Sequence, residues 1–137
     1  MTQRIELRAI GRVVRGYGSQ AEAPRQGRLA DRELEIEVAA DKSAGLDGLQ
    51  PGQWLWVLLW FDRADRTRLK VHPRGDRSRP LSGVFNTRAP HRPNPIALDL
   101  GQLVAIKGNR LVLKGLDAVD GTPVLDLKPY VAHIDTP

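Results

Sequence analysis

The chain has 137 residues, which is enough for one domain with a single hydrophobic core. It contains no cysteine, so disulfides, thiolate metal sites and cysteine nucleophiles are excluded. Its 21 lysines and arginines outnumber 16 acidic residues and give a net charge of +5, which suits a polyanionic partner such as RNA.

The sequence offers no sign of a membrane segment or a metal site. The longest apolar run, Trp54–Phe61, has eight residues, whereas a spanning helix needs about 20. The N-terminus carries charges within its apolar stretch and therefore does not resemble a signal peptide. The three histidines lack the spacing of a metal-binding pair. We expect a cytoplasmic protein with no metal and no membrane partner.

The first half of the chain predicts strands by its alternation. Residues 5–9 alternate weakly and suggest an early strand, whereas Glu33–Val38 alternates perfectly and predicts a strand with one buried face. Trp54–Phe61 fits a strand buried on both faces, or half-buried against a second subunit. Arg68–Val71 alternates again and is predicted to be the hairpin partner of that strand.

The second half predicts a hairpin and one further strand. A strand beginning at Ile96 continues toward Ile106, and Gly108-Asn109 then forms a two-residue turn into Leu111–Leu113. Val124–Leu127 is a last short strand, and only Ala44–Leu49 could hold a short helix. Six or seven strands with few helices indicate a mainly antiparallel all-β domain, either a small barrel or a sandwich.

The segment from Ser82 to Ile96 contains three prolines, which exclude helix and leave a rigid extended loop. Such a loop loses little conformational freedom when it binds a ligand. The side chains that it presents for binding are Arg88, His91, Arg92 and Asn94. The alternative is a surface connector that proline merely stiffens.

Two further motifs each allow a structural and a functional interpretation. Gly16–Ala21 matches a dinucleotide fingerprint, but Pro24 interrupts the required helix, so a flexible turn is the better interpretation. Asp117 and Asp120 lie three residues apart before a tight turn at Gly121. Their carboxylates could accept hydrogen bonds from ligand hydroxyls or could simply cap the turn.

Arginine is concentrated between positions 63 and 92 of the chain. Guanidinium groups bind phosphate through two parallel hydrogen bonds, so this cluster favours RNA or another polyanion. An ordinary solvated basic surface is the alternative. The cationic residues of the cluster are Arg63, Arg66, Arg68, Lys70, Arg74, Arg77, Arg79, Arg88 and Arg92.

Several motifs occur in an order that closely resembles the TsaA-like family, also called the YaeB or TrmO family. In addition, Asn94-Pro95-Ile96 resembles the Asn/Asp-Pro-Pro-aromatic motif of adenine-N6 methyltransferases. The resemblance extends over nearly the whole chain. The segments that carry it are Ile10-Gly11, Ala23–Gln26, Gly83–Arg88, Arg92–Ile96, Leu116–Val124 and Asp126–Tyr130.

The resemblance implies a small single-domain β-barrel over residues 1–137 that works as a homodimer. It also implies an S-adenosylmethionine-dependent methyltransferase that N6-methylates threonylcarbamoyl-adenosine beside the anticodon of tRNA. The cofactor would lie near the subunit interface. By motif, its contacts would fall on Pro24, Arg25, Gln26, Phe61, Asp62, Arg63, Arg88, Leu98, Asp117, Ala118, Val119 and Asp120. We expect Asn94 to orient the reacting nitrogen and Arg92 to meet a phosphate or carboxylate.

The chain also departs from the family pattern. A C-terminal extension that helps to hold tRNA is expected to be absent, and Asp62-Arg63 replaces a common His-Gln pair. Two alternatives therefore stay open. The same barrel and cofactor could methylate a small metabolite, or the chain could be a non-catalytic RNA-binding module.

Overall fold

The fold is built from strands in which buried and exposed residues alternate. It is seen in a computed structural model that describes residues 2–18, 23 and 31–137. The strands are β1 (Gly11–Arg15), β2 (Glu33–Val38), β3 (Trp54–Trp60), β4 (Lys70–Val71), β5 (Ser82–Gly83), β6 (Ile96–Lys107), β7 (Arg110–Lys114) and β8 (Pro123–Pro129). The described helices are short: Ala40–Leu46, Pro73–Gly75 and Val84–Asn86 are 3-10 turns, and α1 (Ala132–Asp135) is α-helical.

Six of the described strands pair in the order β1-β2-β7-β6-β3-β8, and β8 pairs again with β1, which closes the sheet into a barrel. All these pairs are antiparallel. β4 and β5 form a separate two-stranded sheet. The predicted all-β, mainly antiparallel fold with few short helices is confirmed.

Alternate residues of β2 and β3 fill the barrel interior, whereas three consecutive residues of β7 are buried. In β2 the alternate buried residues are Leu34, Ile36 and Val38, as the alternation predicted. The continuously apolar β3 also alternates, because Leu55, Val57 and Leu59 are buried whereas its tryptophans are only half-buried. The tryptophans therefore point away from the core.

The hairpin predicted at Gly108-Asn109 is confirmed. Gly108 has a φ of 62°, a left-handed conformation that glycine adopts without strain, and it joins β6 directly to β7. Asn109 donates a side-chain hydrogen bond to the Val38 carbonyl (2.8 Å), which ties the turn to β2. Local turn chemistry and a long-range contact thus agree.

Three sequence-based expectations are wrong in detail. Residues 2–9 form no strand, and Ile5 is 75% exposed, since nothing among the described residues pairs with this segment. β4 pairs with β5 and not with β3, whose two edges are occupied by β6 and β8. The short helix spans Ala40–Leu46, four residues before the predicted start at Ala44.

Candidate functional site

The 35-residue connection from Phe61 to Pro95, between β3 and β6, forms most of a cavity of about 770 Å³ at one end of the barrel. Four arginines and two histidines line it: Arg68, Arg74, Arg77, Arg88, His72 and His91. Asp117 is the one carboxylate among the described lining residues. A cavity of this size and charge suits a nucleotide-like or otherwise anionic ligand.

A second cavity of about 250 Å³ shares Phe61, Pro90 and His91 with the first. Asp62, Arg63 and Val119 also line it. The two cavities therefore adjoin at Phe61, just after β3, and at Pro90 and His91 of the proline-rich segment.

The proline-rich segment is fixed by hydrogen bonds as well as by its prolines. One guanidinium nitrogen of Arg92 donates to the carbonyls of Thr87 (2.9 Å) and Ala89 (3.1 Å). The Phe61 N–H donates to the Pro95 carbonyl (2.9 Å) and closes the base of the connection. These bonds hold the backbone on both sides of Arg88, which lines the large cavity.

Residues just after β3 also form hydrogen bonds with the proline-rich segment. The Asp65 N–H donates to His91 Nδ1 (2.9 Å). Arg66 lies over the Trp60 ring and donates both to the Pro93 carbonyl (2.7 Å) and to Asn94 Oδ1 (3.1 Å). Asn94 itself is exposed and lies outside the described lining of both cavities.

The segment from Asp117 to Asp120, here called the acidic turn, packs against the end of β1. Tyr17 forms an isolated bridge with Val119 and exchanges backbone hydrogen bonds with Ala118 and Asp120. A β-carbon added to Gly16 would lie 2.6 Å from the Ala118 carbonyl oxygen, so this close approach needs glycine. The Gly16–Ala21 motif is thus a structural junction in its described part; residues 19–21 lie outside the described residues.

Asp99, which the sequence analysis missed, is paired with Asp117. Asp99 projects from β6 into the core and is 8% exposed, and its Oδ2 accepts the Asp117 N–H (3.3 Å). Burial is the largest cause, and together with the side chain and negative charge of Asp117 it raises the pKa of Asp99 to about 9, against smaller lowering by the Asp117 N–H and the Arg88 charge. Asp99 is therefore a neutral acid at neutral pH.

The predicted site residues fall into five groups. Phe61, Arg88 and Asp117 line the large cavity, and Asp62, Arg63 and Val119 line the small one. Ala118 is buried beneath the turn, and Asp120 binds the Gly16 N–H. Leu98 lies on the outer face of β6, 51% exposed. Pro24, Arg25 and Gln26 lie outside the described residues, although Ala23 lines the large cavity.

The two residues predicted to be catalytic, Arg92 and Asn94, are absent from the described lining of both cavities. Their roles stay predictions. Among the missed residues, His72 could not be predicted from the sequence, because a single histidine in a loop belongs to no recognisable motif. Asp99 gave a weak one, a charge within the apolar sequence of β6.

The described residues contain no group of three or more histidines and carboxylates that could hold a metal ion. Nor do they include a helix with the length and apolar character of a membrane span.

The model of the tRNA-methyltransferase O N-terminal domain family matches residues 13–136. The chain belongs to this family. The TrmO_N match confirms the resemblance seen in the sequence. Every described lining residue of both cavities lies between positions 23 and 122, within the matched segment.

Relatives of this TrmO_N chain carry names that concern S-adenosylmethionine or tRNA. Two archaeal proteins named probable S-adenosyl-L-methionine-binding proteins, from Archaeoglobus fulgidus and Methanothermobacter thermautotrophicus, are 43% and 42% identical over 96% of this chain. A mouse tRNA (adenine(37)-N6)-methyltransferase is 42% identical over 93% of it. The crystal structure of TrmO from Pseudomonas aeruginosa matches 99% of the chain with a TM-score of 0.79 and 33% identity.

The lengths of these proteins differ. This TrmO_N chain spans 36% of the Archaeoglobus relative, 31% of the mouse enzyme and 59% of the Pseudomonas TrmO chain. It spans 94% of the Methanothermobacter relative.

Proposed function

We propose that this chain is an S-adenosylmethionine-dependent methyltransferase that N6-methylates threonylcarbamoyl-adenosine next to the anticodon of tRNA. One observation carries the proposal: the proline-rich segment and the acidic turn, which are distant in sequence, line the same cavity through Arg88 and Asp117. The names of the relatives support the cofactor and the tRNA substrate.

The cavity residues fit S-adenosylmethionine in size and in chemistry. A volume of about 770 Å³ lies within the range of ligand pockets, roughly 300–1,000 Å³. In our proposal Arg88 neutralises the carboxylate of the cofactor or of the substrate's threonyl group. The turn from Asp117 to Asp120 accepts hydrogen bonds from the hydroxyls or the adenine amine. The remaining contacts are proposed at Pro24, Arg25, Gln26, Phe61, Asp62, Arg63 and Leu98.

When bound, the cofactor supplies an electrophilic methyl group. The residues of this chain would then act by alignment more than by strong base catalysis. Asn94 would orient the reacting nitrogen, after exchanging its hydrogen bond with Arg66 for one with the substrate. Arg92 would meet a phosphate or carboxylate through the guanidinium nitrogens that do not bind Thr87 and Ala89.

The cationic lining supports a tRNA substrate. Arg68, Arg74 and Arg77 add three positive charges beyond the proposed cofactor contacts. Arg74 has a φ of 56°, a left-handed conformation that costs a side-chain-bearing residue of order 1 kcal/mol and often marks a functional site. A tRNA substrate would also place the protein in the cytoplasm.

An apolar outer face supports the homodimer. The cross-strand pairs Trp56–Leu100, Leu58–Leu98 and Trp60–Ile96 lie on the outside of β3 and β6. Ile96 is 43% exposed and Leu98 is 51% exposed, which is unusual for a strand-borne apolar stripe on a monomer. We propose that two copies of the chain bury this face, and that residues 1–137 form one barrel domain in each copy.

Calorimetric titration with S-adenosylhomocysteine tests the cofactor assignment. We expect the wild type to bind, and Arg88→Ala to bind at least about tenfold more weakly. Arg110→Ala is the matched control, because Arg110 pairs with Glu35 and Glu37 on the barrel surface and lines neither cavity. Absence of heat and of a thermal shift for the wild type at millimolar ligand would end the proposal.

A further inference from the structure

Asp99 is an ionisable side chain in the barrel core to which the proposed mechanism gives no role. Among the described residues, the buried polar side chains are Asp99 and Thr122. Thr122 is satisfied, because its hydroxyl donates to the Val119 carbonyl (2.7 Å). Asp99 instead lies against a second acidic residue, Asp117, whose N–H its Oδ2 accepts (3.3 Å).

Asp117 has the complementary feature. Its Oδ1 is enclosed by protein and has no hydrogen-bond donor, although the residue lines the large cavity. Two ionised carboxylates could not satisfy this atom, since a carboxylate only accepts hydrogen bonds. A single proton on Asp99 gives the pair one donor and one acceptor, as in other carboxyl pairs that share a proton.

The charged groups around the pair agree with this assignment. Asp117 follows β7 and contacts Asp99 through its N–H, and Arg88 precedes β6 and lines the same cavity as Asp117. A carboxyl pair that shares one proton carries a single negative charge, and the Arg88 guanidinium lines the same cavity as Asp117. Because Oδ1 is enclosed, the other carboxylate oxygen of Asp117 is the one left for a ligand.

We propose that Asp99 is a positioning residue that donates a hydrogen bond to Asp117 and holds the Asp117 side chain at the cavity wall to accept a hydrogen bond from a hydroxyl or amine of the bound nucleoside. This inference rests on the proposed function, which places the adenosine end of the cofactor beside Asp117. It adds a residue that does not touch the ligand and yet sets its affinity.

The test measures the affinity of S-adenosylhomocysteine between about pH 6.5 and about pH 9.5, in the wild type, Asp99→Asn and Asp99→Leu. Asn keeps a neutral donor to Asp117, whereas Leu has similar volume and no donor. We expect Asp99→Asn to bind within about threefold of the wild type at neutral pH and Asp99→Leu to bind about tenfold or more weakly. Asp41→Asn, an exposed carboxylate in the Ala40–Leu46 turn, is the control and should behave as the wild type.

The pH profile separates positioning from simple packing. Wild-type affinity should fall as Asp99 loses its proton, near pH 9, and Asp99→Asn should lack that part of the fall. Titration of the ligand itself is common to both proteins, so the difference between their profiles is the readout. Superimposable profiles would overturn the proposal, as would wild-type affinity in Asp99→Leu.

The outcomes are distinguishable from failure of the proposed function. Wild-type protein that does not bind S-adenosylhomocysteine contradicts the cofactor assignment and the ligand role of Asp99 together. Wild-type binding with identical profiles in Asp99→Asn contradicts only the inference about Asp99. If Asp99→Leu does not fold, the comparison of the wild type with Asp99→Asn decides alone.

Discussion

The Gly16 N–H donates to the Asp120 carboxylate, although 104 residues separate them in sequence. This bond joins the end of β1 to the turn that follows β7, and the Tyr17–Val119 bridge lies beside it. The acidic turn is thereby fixed in space before any ligand binds. Hydrogen bonds to a charged acceptor contribute about 1.5–3 kcal/mol, so this junction stabilises the fold as well as the site.

Substitution of Gly16 by alanine should therefore damage both stability and binding. The new β-carbon would lie 2.6 Å from the Ala118 carbonyl oxygen and 3.0 Å from the Val119 carbonyl carbon. We expect the free energy of unfolding to fall by about 1–3 kcal/mol and S-adenosylhomocysteine affinity to weaken. Urea unfolding and calorimetry measure the two effects.

Gly45→Ala is the matched control for that experiment. A β-carbon at Gly45 would have no atom within 4 Å, and its φ is not in the left-handed region. Its unfolding free energy should change by less than about 1 kcal/mol, in the stabilising direction. Equal effects of the two substitutions would show that the junction at Gly16 is not tight.

The stability of the protein should depend on pH through Asp99. Its pKa is 3.8 in the reference state and about 9 in the folded protein, so the folded protein holds an extra proton between these values. Raising the pH within this window therefore favours unfolding, and the contribution of Asp99 is complete only below the unfolded pKa. For one fully coupled group the slope is about 1.4 kcal/mol per pH unit.

Urea unfolding at several pH values between about 6 and 8.5 checks this sign. The free energy of unfolding of the wild type should fall relative to that of Asp99→Asn as the pH rises. Comparison with the variant removes the contribution of titrating groups that do not interact with Asp99. Parallel curves would contradict the assignment of a raised pKa to Asp99.

Arg92 and Asn94 can be separated by single-turnover kinetics. Asn94→Ala should lower the rate of methyl transfer with little change in cofactor affinity. The reason is that Asn94 is exposed and is absent from the described lining of both cavities. Arg92→Ala should also weaken cofactor affinity, because it removes two hydrogen bonds that hold the backbone around Arg88. An unchanged rate in Asn94→Ala would remove Asn94 from the mechanism.

The proposed dimer predicts a specific effect at Leu98. A glutamate there would place a charge in the centre of the buried face. Leu98→Glu should therefore raise the dissociation constant of the dimer at least about tenfold, as measured by sedimentation equilibrium. Leu81→Glu is the control, because Leu81 is 57% exposed and lies in the connection before β5, on neither β3 nor β6. A monomeric wild type would refute the dimer.

The sequence predicted those parts of the fold that local patterns determine. β2 follows from strict alternation, and the β6–β7 hairpin follows from Gly108-Asn109, because a two-residue turn sets its own register. The partner of β4 could not be predicted in this way. Two short alternating segments do not reveal that both edges of β3 are taken by strands far away in the chain.

The candidate site likewise has residues that local motifs predicted and one that only a long-range contact explains. Arg88 and Asp117 were predicted by motif, and they line one cavity. Asp99 was missed because its neighbours Leu98 and Leu100 form the apolar alternation of β6, which would normally mark the buried face. In the structure these leucines point outward and Asp99 points inward, and only its contact with Asp117 explains why a carboxyl group occupies the core.

Methyl transfer to tRNA tests the central claim most directly. Purified protein would be incubated with S-adenosylmethionine and tRNA from a strain that lacks this modification, and the nucleosides analysed by mass spectrometry. We predict conversion of threonylcarbamoyl-adenosine to its N6-methyl form, abolished in Arg88→Ala. Unmodified tRNA in the presence of demonstrated cofactor binding would contradict the tRNA assignment and favour a small-molecule substrate, whereas salt-sensitive RNA binding without any cofactor binding would indicate a non-catalytic RNA-binding module.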